Sequence, residues 1–134
     1  MNYKLEHIGI AVRDLEASIK TYELLLNTNC YKRETVESEG VITAFFKTEN
    51  TKVELLEATN ENSPIHKFIQ KKGEGIHHMA FEVKDIQTEM SRLSKEGYRL
   101  LNKEPKKGAD NKQVCFIHPK DTRGVLIELC EEIR

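Results

Sequence analysis

An internal repeat constrains this chain more than any other feature. The segment His7-Ile8-Gly9-Ile10-Ala11-Val12-Arg13-Asp14-Leu15 resembles His78-Met79-Ala80-Phe81-Glu82-Val83-Lys84-Asp85-Ile86, at an offset of 71 residues. A second pair, Lys52-Val53-Glu54-Leu55-Leu56 and Leu126-Ile127-Glu128-Leu129-Cys130, is offset by 74. The three-residue difference is one that a single loop can absorb. One His–Glu coincidence would mean little. Two in register, at spacings of 47 and 50, point to duplicated modules that each supply two side chains to a shared site.

The patterning of each half predicts β-α-β-β-β. His7 to Val12 is a run of β-branched and small residues, hence a strand. Asp14 can then cap a helix whose Leu15, Ile19, Tyr22 and Leu26 fall near helical spacing. Val41 to Lys47 and Thr51 to Leu56 read as strands joined by a short turn. In the second half Ile76 to Val83 is a strand. Asp85 caps a helix with Ile86, Met90 and Leu93 on one face, closed by Gly97. Tyr98 to Leu101, Gln113 to His118 and Gly124 to Cys130 read as strands, and Lys103 to Asn111 as a flexible polar loop. Between the halves, Ser63 as cap, Pro64 at the first helical position and Gly73 after the end predict a short connecting helix over 63–73. The expectation is an α+β fold in one domain of 1–134. Module one spans about 1–60 and module two about 74–134, and their mixed sheet curls around one cleft.

Strand alternation identifies what that cleft would contain. His7, Gly9 and Ala11 share one face of the first strand, and His78, Ala80 and Glu82 one face of its repeat. In each case one face packs, while the other starts with histidine and leaves room beside it. Glu54 lies between Val53 and Leu55, and Glu128 between Ile127 and Leu129. A carboxylate in an apolar strand costs several kcal/mol to desolvate unless it is paired or binds a metal. Two imidazoles and two carboxylates, His7, Glu54, His78 and Glu128, suit a divalent cation. Taken singly, each has a blander reading: a strand-end histidine that makes a structural hydrogen bond, or a glutamate facing solvent. His77 adjoins His78 but points to the opposite face. His66 reads as a surface residue of the connecting helix, and His118, before Pro119, as a turn or cleft-border residue.

Bulk properties narrow the class. A hydrophobic share of 38% against 32% charged residues suits a globular protein with a modest core. No apolar run approaches the roughly 20 residues of a membrane span. The net charge of −1 argues against nucleic acid as a partner. Cys30, Cys115 and Cys130 are odd in number with no C-x-x-C, which predicts reduced, mostly buried thiols. The start, Met1 to Glu6, has no apolar or Arg/Ser-rich leader, which predicts a cytoplasmic protein.

These residues carry a resemblance to the vicinal oxygen chelate superfamily, whose members pair βαβββ modules around a metal. More narrowly, the chain resembles the epimerases of that superfamily that act on methylmalonyl-CoA. The matching stretches include Val53-Glu54-Leu55-Leu56-Glu57, Gly73-Glu74-Gly75-Ile76-His77-His78-Met79-Ala80-Phe81, His118-Pro119-Lys120 and Gly124-Val125-Leu126-Ile127-Glu128-Leu129. Carried over by position, the family's ligands fall on His7, Glu54, His78 and Glu128. The implied metal is cobalt first, with zinc, nickel, manganese or magnesium as alternatives. The implied reaction inverts the carbon between a thioester and a carboxylate through a metal-stabilised enolate, with Glu128 and Glu54 as the two bases. One departure matters: some epimerases place a glutamate, proposed as a base, where this chain has Thr43. The resemblance also implies an acyl-CoA substrate and a homodimer. Lys71, Lys72, Lys106, Lys107, Lys120 and Arg123 are candidates to meet the CoA phosphates. The rival readings are a glyoxalase I-type lactoylglutathione lyase and a metal-free binding or resistance protein.

Overall fold

The computed structural model describes residues 2–134; Met1 lies outside them. Its backbone divides into two compact units, one of His7–His77 and one of His78–Arg134 with the residues up to Glu6. Strand β1 (Lys4–Ala11) begins three residues earlier than the sequence pattern predicts.

In the His7–His77 unit, β1 is followed by α1 (Leu15–Leu26), β2 (Lys32–Val36), β3 (Val41–Lys47), β4 (Lys52–Ala58) and α2 (Pro64–Lys72). The strands lie in the order β2-β3-β4-β1, antiparallel except that β4 runs parallel to β1. The caps are those the sequence announces: Asp14 accepts from the Ala17 amide, and Ser63 from the Ile65 amide. Gly40 turns back with φ +63°, and a Cβ there would meet the Cβ of Ser63 at 3.1 Å, so glycine seats the α2 cap against this turn. The apolar stripe of α1, Leu15 and Ile19 with Tyr22 and Leu26, buries against Ala44, Phe46 and Leu55. Each large side chain so buried stabilises the unit by about 1.5–3 kcal/mol.

The other unit repeats the plan with β5 (Gly75–Glu82), α3 (Ile86–Lys95), β6 (Lys106–Lys107), β7 (Lys112–Ile117) and β8 (Ile127–Glu132), in the order β5-β8-β7-β6. Asp85 caps α3 at the Thr88 amide, and Ile86, Met90 and Leu93 pack on Cys115, Ile117 and Leu129. The three extra residues of the second repeat lie in its last hairpin. Phe46 pairs with Val53 across six residues, whereas Ile117 pairs with Ile127 across nine. Those nine include a 3-10 turn over Pro119–Thr122, which delays β8 beyond its predicted start at Gly124.

Two expectations need correction. Tyr98–Leu101 makes only one bridge, Leu100 to Ile117. The side chain of Asn102 takes the place of a strand there, donating to the Val114 carbonyl and accepting from the Phe116 amide. The polar stretch 103–111 contains β6, paired to Gln113 and Val114. A third point concerns the strand faces. The His7 and His78 faces also pack: Ala11 with Val41, Leu56 and Ile65 of α2, and Ala80 with Val114 and Cys130. Among the described residues no helix is long and apolar enough to cross a membrane.

Candidate metal and active site

Each unit builds one His–Glu pair from its parallel strands. In the first, β1 and β4 set Gly9 opposite Glu54, and the alternation of β1 puts His7 on that same face. The Glu54 carboxylate reaches the His7 ring, with Oε2 to Nδ1 at 3.1 Å. In the second, Ala80 stands opposite Glu128, and Glu128 Oε1 lies 3.2 Å from His78 Nε2. All four are buried: Glu54 is 3% exposed, Glu128 5%, and each histidine 6%. The solvent-facing reading of the glutamates is therefore excluded.

The surroundings repeat as well. Phe45 stands across from Glu54 and Phe116 across from Glu128. The His78 and Phe116 rings meet edge to face at 5.9 Å. Lys32 lies over the Phe45 ring and Lys106 over the Phe116 ring, at 4.8 and 5.7 Å from their centroids. The next pair on the same face breaks the symmetry: Thr43 opposite Leu56 matches Val114 opposite Cys130.

The donor set fits a divalent cation. Nitrogen and oxygen ligands of mixed hardness suit zinc, cobalt, nickel or manganese. At 3.1 and 3.2 Å, each pair would offer one nitrogen and one oxygen to the same ion. Buried carboxylates with no such partner would be costly.

Other expected residues fall outside this set. His77 packs its ring edge-on to Phe68 at 5.0 Å. His118 serves the turn, its Nδ1 accepting from the Lys120 amide. His66 is half-buried on α2. Lys71, Lys72, Lys106, Lys107, Lys120 and Arg123 are all exposed. Sequence reading missed Glu6 and Lys112, both buried. Both bear on Cys130, whose thiol is pushed up by burial first and then by the Glu128 and Glu6 carboxylates, with Lys112 opposing. An earlier start for β1, signalled by Lys4-Leu5-Glu6, would have brought Glu6 into view. All three cysteines are free, as expected.

Comparison with known proteins agrees with this architecture. The profile of the Glyoxalase/Bleomycin resistance protein/Dioxygenase superfamily matches residues 6–116. The ethylmalonyl-CoA/methylmalonyl-CoA epimerase of Cereibacter sphaeroides is 43% identical over 128 residues, covering 94% of this chain and 96% of its own. The mitochondrial methylmalonyl-CoA epimerase of Homo sapiens is 41% identical over 127 residues, 94% of this chain and 72% of its own. A variant of the Streptomyces coelicolor methylmalonyl-CoA epimerase, solved with 2-nitronate-propionyl-CoA, superimposes with a TM-score of 0.94 at 34% identity, over 98% of each chain. The fold is thus the glyoxalase-like α+β fold that the repeat predicts. The chain belongs to the Glyoxalase/Bleomycin resistance protein/Dioxygenase superfamily, in a group whose relatives include methylmalonyl-CoA epimerases.

Proposed function

We propose that this protein epimerises methylmalonyl-CoA at the carbon between its thioester and its carboxylate, and that His7, Glu54, His78 and Glu128 together hold one divalent metal ion. The observation that carries the reading is the pair of buried His–Glu contacts at repeat-related positions. Their chemistry suits the reaction of the relatives. A bound divalent ion supplies Lewis acidity, which lowers the cost of negative charge on a thioester oxygen.

The protein's own groups then handle the proton. Inversion requires one proton removed from a face of the α-carbon and one delivered to the other. Glu54 and Glu128 are the carboxylates that the repeat makes equivalent, and we assign one to each face. Phe45 and Phe116, each opposite one of the glutamates, present apolar surface there. Of the six exposed cations, Lys106 is the one that the structure ties to this face, through the Phe116 ring, and we assign it to a CoA phosphate.

Proton NMR of methylmalonyl-CoA in deuterated buffer tests the reading, with protein stripped by chelator and with protein reloaded with cobalt. The expected result is loss of the α-proton signal far above the buffer rate with the reloaded protein only. No exchange with either form overturns the epimerase reading and turns attention to the glutathione hemithioacetal.

A further inference from the structure

Lys112 begins β7 and is buried, at 7% exposure. Alternation puts it on the face of Val114 and Phe116. On that face Phe116 stands across from Glu128, and Val114 packs with Ala80 and Cys130. The Lys112 charge is felt there, since it opposes the carboxylates that push up the Cys130 thiol. Its ammonium makes no hydrogen bond to any described residue. The carboxylate that pairs with it, Asp110, stays 4.0 Å away, beyond hydrogen-bonding reach. A lysine ammonium carries three donors, and burying them unmet is costly.

The repeat shows that packing does not call for a cation here. Thr43 and Val114 are counterparts, so two residues earlier Val41, opposite Ala58, is the counterpart of Lys112, opposite Glu132. Val41 is buried to the same extent and packs with Ala11, Leu56 and Ile65. This place in the fold therefore accepts an apolar side chain. In their His–Glu pairs and facing phenylalanines the two halves match, and the hydroxyl of Thr43 adds no charge to the first. The substrate of the proposed reaction is not symmetric in this way. Its α-carbon lies between an uncharged thioester and a carboxylate. Matching donors cannot tell those two ends apart, whereas an ammonium on the face of one half can. Lys112 and Phe116 are four residues apart, about 13 Å along the strand. A charge on a flexible four-carbon stem can lean across part of that distance toward the Glu128 row, and a short diacid unit fills the rest.

We propose that Lys112 binds the free carboxylate of the acyl group and so fixes which end of the substrate meets the half-site of His78 and Glu128. The inference rests on the epimerase reading and names the residue that recognises the substrate's charge. The carboxylate brings the acceptors that the ammonium lacks within the protein, and a charge-assisted hydrogen bond of this kind is short and strong. A CoA thioester without a second carboxylate leaves the ammonium unmet, so the same residue selects against it.

The test measures calorimetric binding of malonyl-CoA and of propionyl-CoA, which differ by that carboxylate. It uses chelated protein, so that a metal adds nothing to the difference, and compares the parent with Lys112→Met and Lys112→Arg. The parent should prefer malonyl-CoA. Lys112→Met should weaken malonyl-CoA by about ten- to a hundredfold and leave propionyl-CoA unchanged. Lys112→Arg should keep the preference. In the cobalt-loaded protein Lys112→Met should raise the KM for methylmalonyl-CoA in α-proton exchange more than it lowers kcat. An apolar side chain of similar length should also melt no lower than the parent. A malonyl-CoA preference that survives in Lys112→Met, or an equal loss for both thioesters, overturns the proposal. So does a Lys112→Met protein that does not fold, which would make the ammonium a structural cation, or a preference lost in Lys112→Arg. Each of these leaves the epimerase reading intact if the parent exchanges the α-proton. A cobalt-loaded parent that neither binds malonyl-CoA nor exchanges methylmalonyl-CoA sinks both.

Discussion

Phe45 and Phe116 stand at equivalent places, each directly across its ladder from the buried glutamate of its own half. The equivalence extends to the glutamates, so their substitution is the sharpest probe of the site. Glu54→Gln and Glu128→Gln keep size and shape but remove the charge and the proton acceptor. Each should cut α-proton exchange by about a hundredfold or more if the carboxylate is a base. Metal content, measured by mass spectrometry in the same samples, separates loss of a base from loss of a ligand. Full turnover in Glu54→Gln removes Glu54 from the proton path.

Removing the metal should destabilise the protein as well as silence it. An ion that binds the folded chain alone adds about 2.7 kcal/mol at a concentration one hundred times its Kd. Its loss leaves two carboxylates among apolar strands. Urea titrations of chelated and cobalt-reloaded protein should therefore show a higher midpoint for the reloaded form at unchanged slope. Coincident curves would count against a shared ion at these four residues.

The thiols should differ in reactivity. Burial pushes Cys115 up to about 11 and Cys130 higher still. At pH 8 a thiol with that pKa is about one part in a thousand thiolate. Cys30, only partly buried, should take up iodoacetamide first in native protein, with Cys115 and Cys130 following only on unfolding. Peptide mass mapping over time reads the order.

The Arg99–Asp121 pair should make stability depend on acid. Asp121 is held down at about 2 by hydrogen bonds from the Arg99 side chain and amide. A carboxyl lowered on folding stabilises the folded state above its unfolded pKa, and that contribution is lost as pH falls through the folded value. Asp121→Asn should therefore be less stable than the parent at pH 6, and the gap should close between about pH 4 and pH 2. Denaturant midpoints across that range measure it, and a gap constant with pH would assign the pair no role.

Much of the architecture was legible because the chain states it twice. The caps at Asp14, Ser63 and Asp85, the helical stripes and the four buried site residues all follow from local chemistry or alternation. What escaped was non-local. No local pattern shows that the Asn102 side chain would replace a strand by serving two backbone groups of β7. Glu6 and Lys112 read as ordinary charged positions, and their burial is decided by neighbours far away in sequence. The polar run at 103–111 looked like loop because lysine is a poor strand former, yet pairing with β7 holds Lys106 and Lys107 in a ladder.

The hairpin that separates Ile117 from Ile127 also bears on how such a chain evolves. Three residues inserted within a strand would flip alternate side chains between faces and carry Glu128 away from His78. Placed where β7 turns back into β8, they leave every strand register unchanged. Lengthening at such a point lets both halves keep their histidine and glutamate aligned. The first hairpin, closed by Thr48, Glu49, Asn50 and Thr51 between Lys47 and Lys52, is the matching place where this chain could be lengthened next without loss of its repeat.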